Sequence, residues 1–271
     1  MSKSWRNLCS LTFAITTGCF SFFSEECFNR TICWSFLPSY WNETINKILF
    51  LIIIGILVYL GMLTWKHFRR NITIKGHNYK VIVEYGDIFN TQNCKRVINF
   101  DECFSTEIGE APHQIKPSSI CGQFLQKNSN IDVPVLLSNS GLKPQRKLSD
   151  FSSKKCYESG SLIPYREYLL MAFGKLNKDG RAVMTRKEYI DSLNTLWREI
   201  DKHYTQSDVA IPVLGAGMTR FKGEMLTQQQ LIDIIVASYQ ISPYKIKKPN
   251  SLHIICKKRE DFSLNKVGET L

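Results

Sequence analysis

The stretch AIPVLGAGMTRFKG, Ala210 to Gly223, decides how the rest of the chain is read. Mostly apolar residues run into Gly-Ala-Gly, and a basic, polar turn follows. Such a run fits a strand buried on both faces, as strands of parallel sheets are. A strand over Asp208–Leu214 is expected, ending at Gly215. Glycine lets the backbone take positive φ there and lets another molecule come close. Consecutive backbone N–H groups in such a loop form an anion-binding nest. The next helix, expected a few residues on, adds its dipole. Thr219 offers a hydroxyl and Arg220 a guanidinium to a phosphate. Taken alone, Gly-Ala-Gly equally fits an ordinary strand–helix turn. It is not a P-loop, because no G-K-[ST] follows, and not a Rossmann fingerprint, because GAGMTR lacks the third glycine.

Outward from this loop, further strand-like runs are YKVIVEYG, KRVINF, VPVLLS, REYLLMAFG and SLHIICKK. Two helices are well signalled. TRKEYIDSLNTLWREIDKHY opens with a capping box, Thr185 with Glu188, and puts Tyr189, Leu193, Leu196, Trp197 and Ile200 on one face. TQQQLIDIIVASYQI starts at the N-cap candidate Thr227. A shorter helix starts at Ser118 or Ser119 and runs through ICGQFLQK. The order near the end, helix, strand, Gly loop, helix, strand, predicts an α/β fold with parallel strands in a central sheet. Ligands of such sheets bind outside the carboxyl ends of the strands. Two more strand ends are suggestive. VIVEYGDI closes with Gly86, Asp87 and Ile88, and a carboxylate there accepts from an adenine amino group. RVINF is expected to end near Asn99. Singly, each fits a structural role: Asp87 capping a turn, Asn99 satisfying backbone groups.

Far upstream, INKILFLIIIGILVYLGMLTWKHFRR reads as a membrane span. Ile48 to Trp65 carries no charge, and its eighteen residues extend about 27 Å as a helix. Lys47 and the cluster Lys66, His67, Arg69, Arg70 flank it. An earlier uncharged stretch, Leu8 to Phe23, fits a signal peptide, a first span or an interfacial segment; the lack of an A-x-A-like site after it favours a first span. The expected division is a membrane region at 1–70, with spans near 8–23 and 46–65 and a short external loop at 24–44, then a cytosolic domain at 71–271. Lys/Arg asymmetry puts both termini in the cytoplasm. Cys27 and Cys33 fall in the external loop, where an oxidising compartment lets them pair.

The chain has 271 residues, 44% of them hydrophobic, enough for one ordinary domain plus extra segments. A formal net charge of +11 attracts nucleic acid, anionic lipid or phosphorylated ligands without choosing among them. Beside a membrane anchor, anionic lipid is the economical partner for the basic segments YKIKKPN and CKKRED, so no nucleic-acid partner is expected. The nine cysteines form no C-x-x-C pair, and neither they nor His77, His113, His203 and His253 have zinc-finger spacing, so no metal is expected. Asn177 to Gly180, NKDG, is a hairpin turn; a calcium loop would need an aspartate where Lys175 stands.

In order and spacing, VEYGDIFN, RVINFDECFST, SSICGQFL, YREYLLMAFGKLN, TRKEYIDSLNTLWREI and IPVLGAGMTRF resemble a macro domain, more narrowly the variant macro domain of Thoeris anti-phage defence effectors. The likeness runs from about Tyr79 to the C-terminus, and the paired spans resemble the membrane-anchored branch of that family. The resemblance implies a three-layer sandwich with a central mixed sheet, preceded by two transmembrane helices, in the bacterial inner membrane. It implies an ADP-ribose derivative as ligand, a histidine adduct in this branch, made from NAD by a TIR-domain partner. Asp87 would meet adenine, and Gly215, Ala216, Gly217, Met218, Thr219, Arg220 and Phe221 the diphosphate, with Gly86, Ile88, Asn99, Cys121, Gly122 and Leu214 completing the site. The bound effector would self-associate and disrupt the bilayer, arresting or killing the infected cell. Hydrolytic macro domains carry an Asn-rich turn and a glycine run after the second strand. Here only Asn99 resembles that turn and the glycine run is gone, which favours binding with no catalytic residues. The alternatives are a membrane-tethered ADP-ribosyl hydrolase and a passive anchor for an ADP-ribose-binding module.

Overall fold

The computed structural model describes residues 3–22, 39–111, 113–217, 219–223, 225–260 and 262–267. They form two units, Met1–Arg69 and Arg70–Leu271. The first holds α1 (Lys3–Phe22) and α2 (Ser39–Phe68). Within α2, Thr44–Trp65 is long and apolar enough to cross a membrane. Ile53, Ile56, Leu57, Leu60 and Trp65 there are exposed, so most of its apolar surface faces outward. The apolar part of α1, Cys9–Cys19, spans about 16 Å as a helix, well short of a bilayer core. Hydroxyls of Thr16, Thr17 and Ser21 donate to the carbonyls of Thr12, Phe13 and Thr17 one turn back and dilute its apolar character. Of the two spans expected, α2 alone among the described residues meets the length and composition of a crossing. Cys27 and Cys33 lie outside the described residues.

The second unit runs β1 (Asn71–Lys75), β2 (Lys80–Tyr85), β3 (Cys94–Asp101), α3 (Ile120–Lys127), α4 (Val133–Asn139), β4 (Leu162–Tyr165), β5 (Tyr168–Leu176), β6 (Ala182–Met184), α5 (Arg186–His203), β7 (Asp208–Pro212), β8 (Arg220–Phe221), α6 (Gln228–Ile241) and β9 (Leu252–Cys256). The sheet order is β1-β2-β9-β7-β3-β5-β6-β8, with β4 also paired to β5. The central strands β2, β9, β7, β3 and β5 are parallel, while β1 runs antiparallel to β2, β4 and β6 run antiparallel to β5, and β8 pairs in parallel with β6, so the sheet is mixed.

Successive strand residues point to opposite faces, and both faces are covered. Val97, Leu169, Met171, Val209 and Ile211 pack with Leu193 and Trp197 of α5 and Leu231 and Ile235 of α6. Ile98, Phe100, Leu170 and Ala172 pack with Phe124 and Leu125 of α3 and Val133 of α4. The result is three layers, helix, sheet, helix. Each fully buried side chain of this kind contributes about 1.5–3 kcal/mol. The capping box of Thr185 with Glu188 forms as expected, Thr227 caps α6 and is part of a second box with Gln230, and Ser119 caps α3. The Asn177–Gly180 turn joins β5 to β6 as an antiparallel hairpin.

The expected strand VPVLLS is instead helix α4. Asp132 accepts from the Val135 N–H at 3.0 Å and Pro134 sits in the first turn, where its missing N–H costs nothing. The run is too short for its periodicity to separate strand from helix. Residues 71–75, which open the second unit and are not among the expected strands, join the sheet as β1, antiparallel to β2.

Candidate functional site

The parallel strands all end at one edge of the sheet. From β3 the chain crosses by α3, on one face, toward β5; from β7 it crosses by α6, on the other face, to β9. The neighbours β3 and β7 therefore mark a topological switch point. Their pairing runs from Cys94 opposite Asp208 to Arg96 opposite Ala210 and goes no further. Beyond it β3 stays with β5 as far as Asp101, and β7 stays with β9 as far as Pro212. Toward their carboxyl ends the two strands are no longer paired, and the space between those ends is the candidate cleft. Nearby, a pocket of about 70 Å³ lined by Glu102, Gln145, Cys156 and Lys175 is too small for a nucleotide.

On the β7 side of the cleft lies the Gly loop. The strand stops at Pro212, two residues before the expected end. Leu214 is buried, and its carbonyl accepts from the Tyr189 hydroxyl of α5 at 2.9 Å. Tyr189 in turn meets the Phe221 ring edge-on at 5.4 Å. These contacts make Leu214 and Phe221 the scaffold of the loop. Gly215 has φ +83°, and a Cβ there would lie 3.0 Å from the Phe221 ring. The Ala216 carbonyl accepts from Arg259 Nη2 at 3.1 Å. Gly217 is exposed, with nothing within 4 Å of where a Cβ would stand. Thr219 is half-buried, and Arg220 is exposed with no polar partner among the described residues. Met218 lies outside the described residues. The helix dipole does not follow this loop directly along the chain, because β8 intervenes and α6 starts only at Gln228.

The β2 end sits at the same edge, with β9 between it and β7. The Gly86 N–H donates to the Cys256 carbonyl at 3.2 Å. Asp87 is exposed and caps a 3₁₀ turn, Ile88–Asn90, its Oδ1 accepting from the Phe89 N–H at 3.1 Å. Ile88 is buried against Cys94, Ala210 and Ile255, with Ile120 at the start of α3 packed beside them. The core thus brings the GDI turn and the SSICGQFL segment together.

Three expected site residues take other roles. Asn99 lies inside β3, opposite Met171, not at its end; it borders the parted stretch from within the strand. The strand continues to Asp101, whose Oδ1 accepts from the N–H groups of Cys103 and Ser105 at 2.8 and 3.1 Å. Cys121 is a core residue of α3, and burial pushes its thiol well above the usual range, which keeps it protonated. Gly122 gives its N–H to Ser119 Oγ at 3.0 Å, and a Cβ there would stand 2.2 Å from the Lys116 carbonyl oxygen, so it is a packing glycine. Sequence reasoning missed Arg259. Its segment, CKKRED, shows only as a run of charge, and nothing local says that one of its guanidinium groups reaches Ala216.

The profile of the family described as "Thoeris protein ThsA, Macro domain" matches residues 81–257. The chain belongs to that family. A Thoeris protein ThsA from Bacillus amyloliquefaciens (strain Y2) is 28% identical over 209 residues, 73% of this chain and 69% of that protein. Among solved structures, an Oceanobacillus iheyensis macrodomain with ADP is similar at 10% identity and TM-score 0.40, over 70% of this chain and 90% of that one. The macrodomain of Thermus aquaticus DarG is similar at 14% identity and TM-score 0.39, over 66% and 98%. In this ThsA macro domain the matched region spans β2 to β9 and includes both the Asp87 turn and the Gly loop.

Proposed function

We propose that the second unit binds an ADP-ribose-type nucleotide in the cleft between β3 and β7, and that the chain is the membrane-anchored effector of a Thoeris anti-phage system. The observation that carries this reading is the parting of β3 and β7 at a switch point whose rim holds the Gly loop, with Asp87 at the same sheet edge. Backbone N–H groups of Gly215 and Gly217, the Thr219 hydroxyl and the Arg220 guanidinium take the diphosphate, while the Ala216 N–H closes the turn onto the Val213 carbonyl at 3.2 Å. The free oxygen of Asp87 accepts from the adenine amino group. Arg259 holds the loop through the Ala216 carbonyl. A TIR-domain partner supplies the ligand, a histidine adduct of ADP-ribose, and binding drives self-association and bilayer disruption through α2 in the bacterial inner membrane. The reading is of binding and not hydrolysis: Asn99 sits in a strand interior where an Asn-rich turn would be needed, and the glycine run of hydrolytic macro domains is missing.

Calorimetry on the full chain in detergent, with ADP-ribose and with its histidine adduct, tests this. Binding of the adduct is expected; binding of neither overturns the reading. Release of ADP-ribose from a modified protein by the chain would support the hydrolase instead. Reporter fusions measure topology. A cytoplasmic reporter at Leu271 is expected, and one at the N-terminus separates a hairpin, with both ends inside, from a single crossing. An external C-terminus would overturn the anchoring.

A further inference from the structure

On one face of the sheet, four adjacent strands bring donor groups together. Cys94 is the first residue of β3 and pairs in register with Asp208, the first residue of β7. His253 of β9 lies opposite Ala210 and Ile82, and Glu84 of β2 reaches it from the other side. The thiol, the Asp208 carboxylate and the His253 imidazole bring their donor atoms within 4.8 Å of one another.

We propose that Cys94, Asp208 and His253 form a binding site for a zinc ion. The donor set is one sulfur, one oxygen and one nitrogen, which suits a borderline cation and excludes magnesium and calcium. Three protein ligands leave a fourth position for water, and the Asp208 side chain, 34% exposed, shows that solvent reaches the site. Two features beyond proximity fit a metal. First, His253 Nδ1 lies 2.7 Å from Glu84 Oε1. A carboxylate on one ring nitrogen fixes the tautomer and frees the other as a ligand, the arrangement usual behind metal-bound histidine. That other nitrogen, Nε2, faces Asp208 Oδ2 at 3.3 Å. This is long for a charged hydrogen bond, whereas two ligands about 2.1 Å from a tetrahedral ion stand about 3.4 Å apart. Second, Asp208 is oriented independently. Its Oδ1 accepts from the Ser251 N–H at 2.8 Å, which leaves Oδ2 for the ion. Zinc here would staple β3, β7 and β9 directly, and β2 through Glu84. The metal-free alternative is His253 hydrogen-bonded between the Glu84 and Asp208 carboxylates.

The full chain, purified in detergent under reducing conditions and stripped with a chelator, is titrated with Co²⁺. A thiolate bound to Co²⁺ gives a charge-transfer band, and a tetrahedral site gives strong visible absorption. Saturation at one equivalent is expected, with Zn²⁺ displacing the cobalt. Cys94→Ser should abolish the charge-transfer band. Glu84→Gln, which keeps all three ligands, should weaken Co²⁺ about 10- to 100-fold. A second cluster, Glu102 with Cys103 and Cys156, also has its donor atoms within 4.8 Å, so the Cys103→Ser, Cys156→Ser double variant is the control and should keep the band. Circular dichroism of each metal-free variant reports folding. If Cys94→Ser fails to fold, Glu84→Gln still decides by its affinity. No band in the wild type, a band surviving Cys94→Ser, or unchanged affinity in Glu84→Gln would overturn the site and leave a histidine hydrogen-bonded between two carboxylates.

Discussion

Two glycines two positions apart in the same loop behave differently for physical reasons. Gly215 occupies the left-handed region, with the Phe221 ring 3.0 Å from where a Cβ would stand. Gly217 has open space around it. Gly215→Ala is therefore expected to destabilise the fold by about 1–2 kcal/mol, and Gly217→Ala to change stability by less than about 0.5 kcal/mol, as thermal or denaturant unfolding measures. Asp87 combines two tasks. One oxygen caps the turn before Phe89, and the other is open to a ligand. Asp87→Ala should weaken nucleotide binding about ten- to a hundredfold, the value of one hydrogen bond to a charged group. Asp87→Asn keeps an oxygen for the cap and should lose less. Unchanged affinity in a folded Asp87→Ala protein would remove Asp87 from the site.

Among the elements, α5 positions the Gly loop through Tyr189, and its start is pinned by the capping box. Burial pushes the Glu188 carboxyl upward, but Lys175, at 2.7 Å, and the N–H and hydroxyl of Thr185 outweigh it and bring it down to about 2. A carboxyl lowered on folding adds stability above its unfolded pKa, near 4.3, and that stability is lost as the pH falls toward 2. Because the Glu188 side chain is 34% exposed, solvent screening reduces the contribution to roughly 1 kcal/mol. Glu188→Gln should be less stable than wild type at neutral pH, and the two unfolding curves should converge below about pH 3. A constant difference across that range would show that the charge is not responsible. On the other flank of the loop, Arg259→Ala should weaken nucleotide binding several-fold with little change in thermal stability, because the bond it removes is exposed and holds only Ala216.

Over the whole molecule, only Arg69 and Arg70 separate α2 from β1, which pairs with β2, the strand that leads into the Asp87 turn. A ligand drives a membrane change only by binding two states with different affinity. Messenger binding is expected to change self-association of the full chain and to cause dye leakage from liposomes. Gly217→Glu sets a negative charge in the nest at a position with room for a side chain, so it should abolish ligand-dependent leakage while the protein still folds and inserts. Equal leakage from mutant and wild type, or leakage from the wild type without ligand, would show that the loop does not gate the membrane.

Periodicity, caps and punctuation are local, and what they govern was legible in the residues alone. The long apolar helix Ser39–Phe68, the capped helices from Thr185 and Thr227, the buried strands around Ile211 and Ile254, and the glycine that ends the apolar run at Gly215 all follow from neighbours a few positions apart. Their order was enough to indicate an α/β sheet and the family. Only the tertiary structure decided which strands touch. The parting of β3 from β7 depends on each strand preferring a different neighbour beyond Arg96 and Ala210, and no local pattern encodes that preference. VPVLLS became a helix because a short apolar run takes whichever form its cap and its place in the core favour. Cys121 and Gly122 became packing residues because α3 lies flat on the sheet. Arg259 met Ala216, and Cys94 met Asp208 and His253, across separations in sequence that only the folded sheet closes.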